Sequence, residues 1–130
     1  MGLQSILVVD DEEDIAMQLL KTLENMGFDV DAFTNSEEAL EHFKSREKKY
    51  SLVISDIRMP GMSGIQLANR IKSIDPDIKI LLLTAFEINM SEFDKVMHST
   101  KVDGFMQKPV SIERLTSEVS KCLKKPINDG

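Results

Sequence analysis

The chain has 130 residues, 42% of them hydrophobic, enough for one compact domain with a single core and little more. A net charge of −6 repels a phosphate backbone, so direct nucleic-acid binding is not expected. No apolar run is long enough to cross a bilayer, and Met1 to Ser5 lacks the features of a signal peptide, so a cytoplasmic protein is expected. Ile6 in place of a hydroxyl residue argues against myristoylation, and Cys122, the sole cysteine, rules out an internal disulfide or a cysteine-rich zinc site.

Ile6 to Val9 is a short apolar, β-branched run that stops at Asp10 and Asp11, as a strand buried on both faces does. Ile15, Leu19, Leu23 and Met26 then recur at helical spacing, widened by Ala16 and Leu20, and Gly27 supplies a stop. Phe28 to Phe33 alternates apolar with acidic residues and predicts a second strand near a sheet edge. Asn35, three residues before Glu38, opens a second helix carrying Ala39, Leu40 and Phe43 and ending in the basic run Lys44 to Lys49. Cations at a helix C-terminus explain that run better than a nucleic-acid patch, particularly with Glu47 inside it.

Leu52 to Ser55 runs into Asp56 and Ile78 to Leu83 into Thr84, repeating the pattern of the first strand. Between them Ser63 caps a third helix, with Gln66 completing a capping box, Leu67, Ala68, Ile71 and Ile74 facing inward and Pro76 as terminator. Ser91 to His98 carries the short stripe Phe93, Val96 and Met97 and predicts a fourth helix. Val102 to Gln107 reads as the last strand, and Ser111 caps a last helix with Ile112, Leu115, Val119 and Cys122 on one face. Five strands alternating with five helices predict a doubly wound α/β fold, a parallel sheet covered on both faces.

In such a sheet the site lies at the carboxyl ends of the strands, which gathers Asp10, Asp11, Asp56, Thr84 and Lys108 at one edge. Three adjacent carboxylates repel one another unless a cation neutralises them. Oxygen donors without His or Cys favour Mg²⁺, Mn²⁺ or Ca²⁺, and few carboxylates with retained waters beside a phosphate suit Mg²⁺, with Mn²⁺ as a substitute. A carboxylate can be the nucleophile of phosphoryl transfer while a metal, a lysine and a hydroxyl stabilise the equatorial oxygens, roles that Asp56, Lys108 and Thr84 fit.

Asp10-Asp11, the run Asp56-Ile57-Arg58-Met59-Pro60-Gly61-Met62-Ser63-Gly64, Thr84-Ala85 and Lys108-Pro109 together resemble the receiver signature of two-component response regulators, over Ser5 to Leu123. The resemblance implies a flavodoxin-like strand order 2-1-3-4-5 and a receiver over residues 1–124, with 125–130 as a short tail. It implies Asp56 as phosphoacceptor, supplied by a histidine kinase or phosphotransfer protein. The metal ligands would be Asp10, Asp11, Asp56 and the Arg58 backbone carbonyl. Lys108 and Thr84 would contact phosphoryl oxygens, small Ala85 would admit close approach, Phe105 would be a switch aromatic, and the peptide before Pro109 would be cis. The chain departs from the family at Lys101-Val102, where members often carry Gly-Ala, and in a slightly long segment between Thr84 and Lys108.

Taken singly these residues have ordinary readings: an acidic pair after a strand complements a helix N-terminus, and a lone lysine or threonine is a surface group. Their joint placement favours the site. Phe105 alone reads equally well as a core aromatic, Cys122 as a small buried hydrophobe, and His42 and His98 as surface residues. A turnover phosphatase needs a second acid two residues after the nucleophile, where Arg58 cannot exchange a proton, so no enzyme is expected. A flavin carrier needs a phosphate-cradling first loop, whereas Asp10 to Asp14 is wholly acidic. A phosphorylation-independent interaction module is the remaining alternative, opposed by the intact Asp56, Lys108 and Thr84.

Overall fold

The computed structural model describes residues 3–45, 49–85 and 101–123. In chain order these form β1 (Ser5–Val9), α1 (Glu13–Asn25), β2 (Asp29–Phe33), α2 (Ser36–Ser45), β3 (Tyr50–Asp56), α3 (Gly64–Ile74), β4 (Lys79–Thr84), β5 (Gly104–Gln107) and α4 (Ile112–Leu123). The helix expected over Ser91–His98, His98 itself and the tail 125–130 lie outside the described residues, so four of the five expected helices are described. The five strands are parallel, in the order β2-β1-β3-β4-β5.

Alternation along the central strands sorts the core into two layers. Ile6 and Val8 of β1, Leu52 and Ile54 of β3, and Leu81 and Leu83 of β4 point to the face covered by α1 and α4, where they meet Leu19, Leu23, Leu115, Val119 and Cys122. Leu7, Val9, Val53, Ile80 and Leu82 point to the other face and meet Ala39, Leu40 and Phe43 of α2 and Leu67, Ala68 and Ile71 of α3. Burial on both faces is why β1, β3 and β4 read as unbroken apolar runs, while β2, at the edge, alternates and fully buries only Val30.

The expected caps are present. Asn35 Oδ1 accepts from the Glu38 amide at 2.9 Å, Ser63 and Gln66 close a full capping box on α3, and Ser111 Oγ accepts from the Arg114 amide at 3.1 Å.

Two local readings change. His42, expected at the surface, is half-buried: its Nε2 lies 2.8 Å from the Tyr50 hydroxyl, which donates to Asp31, tying α2 to β3 and β2. β5 starts at Gly104 rather than Val102 because Asp103 substitutes for a ladder residue. Its amide donates to the Ile80 carbonyl and its own carboxylate accepts from the Ile80 amide, both at 2.8 Å, with Lys72 and Lys79 about the carboxylate at 3.8 and 3.9 Å.

Just before this clamp Lys101 has φ 56°, the left-handed region that a side chain disfavours by about 1–2 kcal/mol. Glycine removes that strain but adds about 0.5–1 kcal/mol of backbone entropy loss on folding. Lys101→Gly is therefore expected to raise the urea midpoint slightly at unchanged m, and Lys101→Ala to leave it unmoved.

Candidate functional site

Parallel topology and three backbone bonds beyond the ladders fix the upper edge of the sheet. The Asp10 amide donates to Phe33 O at 3.0 Å, the Ile57 amide to Leu83 O at 2.9 Å and the Lys108 amide to Thr84 O at 2.8 Å. Asp10 thus sits just past β1, Asp56 closes β3 opposite Leu83, Thr84 ends β4 and Lys108 follows β5. Asp10 is fully buried and Asp56 and Thr84 nearly so, while Asp11 is exposed at the mouth.

Ligand atoms of Asp10, Asp11 and Asp56 all lie within 4.8 Å of one another. Asp10 Oδ1 accepts from the Glu12 amide at 2.9 Å, which turns Oδ2 into the cleft. There Oδ2 is buried without a hydrogen bond of regular geometry, although the Lys108 ammonium stands 2.7 Å away. Lys108 Nζ also lies 3.4 Å from Asp56 Oδ2 and 3.5 Å from Glu12 Oε1. Burial raises the Asp56 pKa above the ordinary carboxylate value; Lys108 pulls it down, Asp10 and Asp11 push it up, and the rise survives. For Lys108 burial disfavours the charge, yet its Asp10 contact and the Asp10, Asp56 and Glu12 charges outweigh this and hold the ammonium above its ordinary pKa.

Three carboxylates against one ammonium leave a formal charge of −2 in the cleft. That surplus, the poorly satisfied Asp10 Oδ2 and an all-oxygen donor set fit a hard divalent cation retaining several waters. Arg58 is exposed in the loop after β3, and Ala85 is exposed just past Thr84. The Lys108–Pro109 peptide is cis. Phe105 is half-buried against the α2–α3 layer, paired with Leu82, two residues before Thr84. Cys122 is buried, and burial first of all pushes its thiol up to about 11, which keeps it unreactive.

Two residues of this edge received no individual role from the sequence. Gly64 opens α3 with its amide on Ile57 O at 2.8 Å, and a Cβ there would lie 2.0 Å from the Asp56 carbonyl oxygen, so only glycine lets the helix seat against the end of β3. Its signal was present as the last residue of the run that begins at Asp56. Glu12 had been read only as one more acid in the first loop; its reach to Lys108, across 96 positions, has no local signature.

The sequence profile of the response regulator receiver domain matches residues 6–120. The response regulator receiver protein CpdR of Brucella abortus is 35% identical over 93% of this chain and 98% of its own length. The alkaline phosphatase synthesis transcriptional regulatory protein PhoP of Bacillus subtilis is also 35% identical, but the chain spans only 49% of it. Among solved structures, the response regulator TrrA of Thermotoga maritima in complex with Mg²⁺-BeF superposes with a TM-score of 0.81 at 39% identity, covering 93% of this chain and 100% of that one. The chemotaxis protein CheY4 of Vibrio cholerae gives 0.85 at 25% identity over 94% and 100%.

A raised carboxylate pKa means the folded, cation-free protein binds that proton more tightly than the unfolded chain, so ionised Asp56 reduces stability at neutral pH and the loss fades as pH falls through its folded value. Asp56→Asn removes that ionised group. Without divalent cation its melting temperature is expected to rise above that of the wild type. Scanning calorimetry in chelator checks this, and an unchanged or lower value would contradict it.

Proposed function

The chain belongs to the response regulator receiver domain family of two-component systems, and on that premise we propose that Asp56 is the carboxylate that accepts the phosphoryl group. The observation that carries this reading is the convergence of Asp56, Asp10, Asp11 and Lys108 at the carboxyl edge of one parallel sheet. Receiver domains take phosphoryl groups from histidine kinases and bind Mg²⁺ at an acidic site. The Mg²⁺-BeF complex of TrrA and the cluster of Asp10, Asp11 and Asp56 support a cation here, with the Arg58 carbonyl as the further ligand that the family resemblance implies. Mn²⁺, which shares the preference for oxygen ligands, is expected to substitute.

Asp56 Oδ attacks phosphorus in line with the leaving group. The new P–O bond forms as the donor's P–N bond breaks, and the imidazole nitrogen keeps that electron pair. Lys108 lies 3.4 Å from the attacking carboxylate and supplies a positive charge to one phosphoryl oxygen, while Thr84 at the end of β4 donates to another. Ala85 leaves its backbone approachable. A Mg²⁺ held by Asp10, Asp11 and Asp56 would supply charge neutralisation to the transferring group. Arg58, where a turnover phosphatase would need a proton donor, supports a phosphoacceptor that is not a turnover enzyme. The reading sets the domain in the cytoplasm, without direct contact to nucleic acid, with a histidine kinase or phosphotransfer protein as its phosphodonor.

Transmission is assigned to Thr84 and Phe105. Moving a two-state equilibrium from 1:99 to 99:1 takes about 5.5 kcal/mol, and one hydrogen bond to a charged group contributes about 1.5–3 kcal/mol. Thr84 therefore shares the task with Lys108 and the cation, or acts on a protein already populating the active form.

Two outcomes are expected. Acetyl phosphate with Mg²⁺ adds one phosphoryl group, seen by intact mass, and Asp56→Asn abolishes the addition; unchanged wild-type mass would sink the assignment. Thr84→Ala still accepts phosphate, but the amide shifts of β5 respond less than in the wild type, and a full response would remove Thr84 from the coupling.

A further inference from the structure

The three acidic neighbours of Lys108 among the described residues are not equivalent. Asp10 and Asp56 belong to the carboxylate cluster suited to a cation, whereas Glu12 lies outside that cluster. The ammonium now rests closest to Asp10, at 2.7 Å, on an oxygen that a cation would need. A cation and an ammonium cannot both neutralise that buried oxygen at contact distance, because their like charges repel strongly where water screens little. Loading the cleft therefore requires Lys108 to withdraw from Asp10, and the withdrawn charge needs an anion.

Glu12 is built for that exchange. It occupies the N-cap position of α1, where a short side chain would accept from the first amides, yet its side chain makes no capping bond. Its carboxylate instead extends to 3.5 Å from Lys108 Nζ and is 62% exposed, on the solvent side of the cleft. Asp10 Oδ1 holds the Glu12 amide, so the backbone from which Glu12 projects is fixed by the very residue that Lys108 must leave.

We infer that Glu12 is a positioning residue for Lys108: it receives the ammonium as a divalent cation takes over Asp10 and Asp56, and holds it at the cleft mouth until a phosphoryl oxygen arrives. This rests on the phosphoacceptor reading above. It requires the carboxylate of Glu12 to act through Lys108, beyond the general attraction of an acid for a cation.

A thermodynamic cycle separates the two, read as Mg²⁺ dissociation constants from amide chemical shifts with no phosphodonor present. Glu12→Gln is expected to weaken Mg²⁺ binding about two- to fivefold, the size of one exposed ion pair. In the Lys108→Met background, where no ammonium competes, the same change is expected to have little effect. Glu13→Gln, an acid of the same helix start, supplies the size of the general charge effect. An equal loss from Glu12→Gln in both backgrounds, or an equal loss from Glu13→Gln, would overturn the role of Glu12 and leave the phosphoacceptor reading standing. A wild-type protein whose amides ignore Mg²⁺ altogether would overturn that reading itself.

Discussion

One ammonium shared among carboxylates governs this edge of the sheet. Asp10 is fully buried, and an ionised carboxyl there is tolerable only beside a positive charge, which Lys108 provides at 2.7 Å. Much of the surrounding architecture serves that contact. Parallel strands bring residues 10, 56 and 108 to a common edge, the Lys108 amide is held on Thr84, and Gly64 lets α3 close against the Asp56 backbone. The arrangement is still short of positive charge, since three carboxylates share one ammonium. A deficit of this kind favours a divalent cation at this edge.

The sheet, its edge and the helix starts were legible because they rest on local rules. Unbroken apolar runs marked β1, β3 and β4, alternation marked β2 as peripheral, and Asn35, Ser63 and Ser111 stood where helix caps are needed. The site residues were legible for a related reason: each stands at the end of an apolar run, and parallel winding turns that position into proximity. What escaped depended on side chains meeting across the fold. Asp103 looks like an ordinary acid inside a strand pattern, and nothing nearby reveals that its carboxylate replaces a ladder partner for Ile80. His42 looks exposed on its own helix until Tyr50 and Asp31 are brought beside it. Glu12 has no sequence neighbour that announces Lys108.

The two ends of β5 are held by different kinds of contact. At its start the Asp103 clamp joins β5 to β4 through paired bonds to Ile80, braced by Lys72 from α3 and Lys79 from β4. At its other end Gln107 pairs with Thr84, and the Lys108 amide donates to Thr84 O beside the charged cluster. Breaking the clamp would leave the Ile80 amide buried and unpaired, at about 1–3 kcal/mol, so the start of β5 keeps its register. Phe105 lies between these ends, half-buried against the α2–α3 layer and level with Leu82.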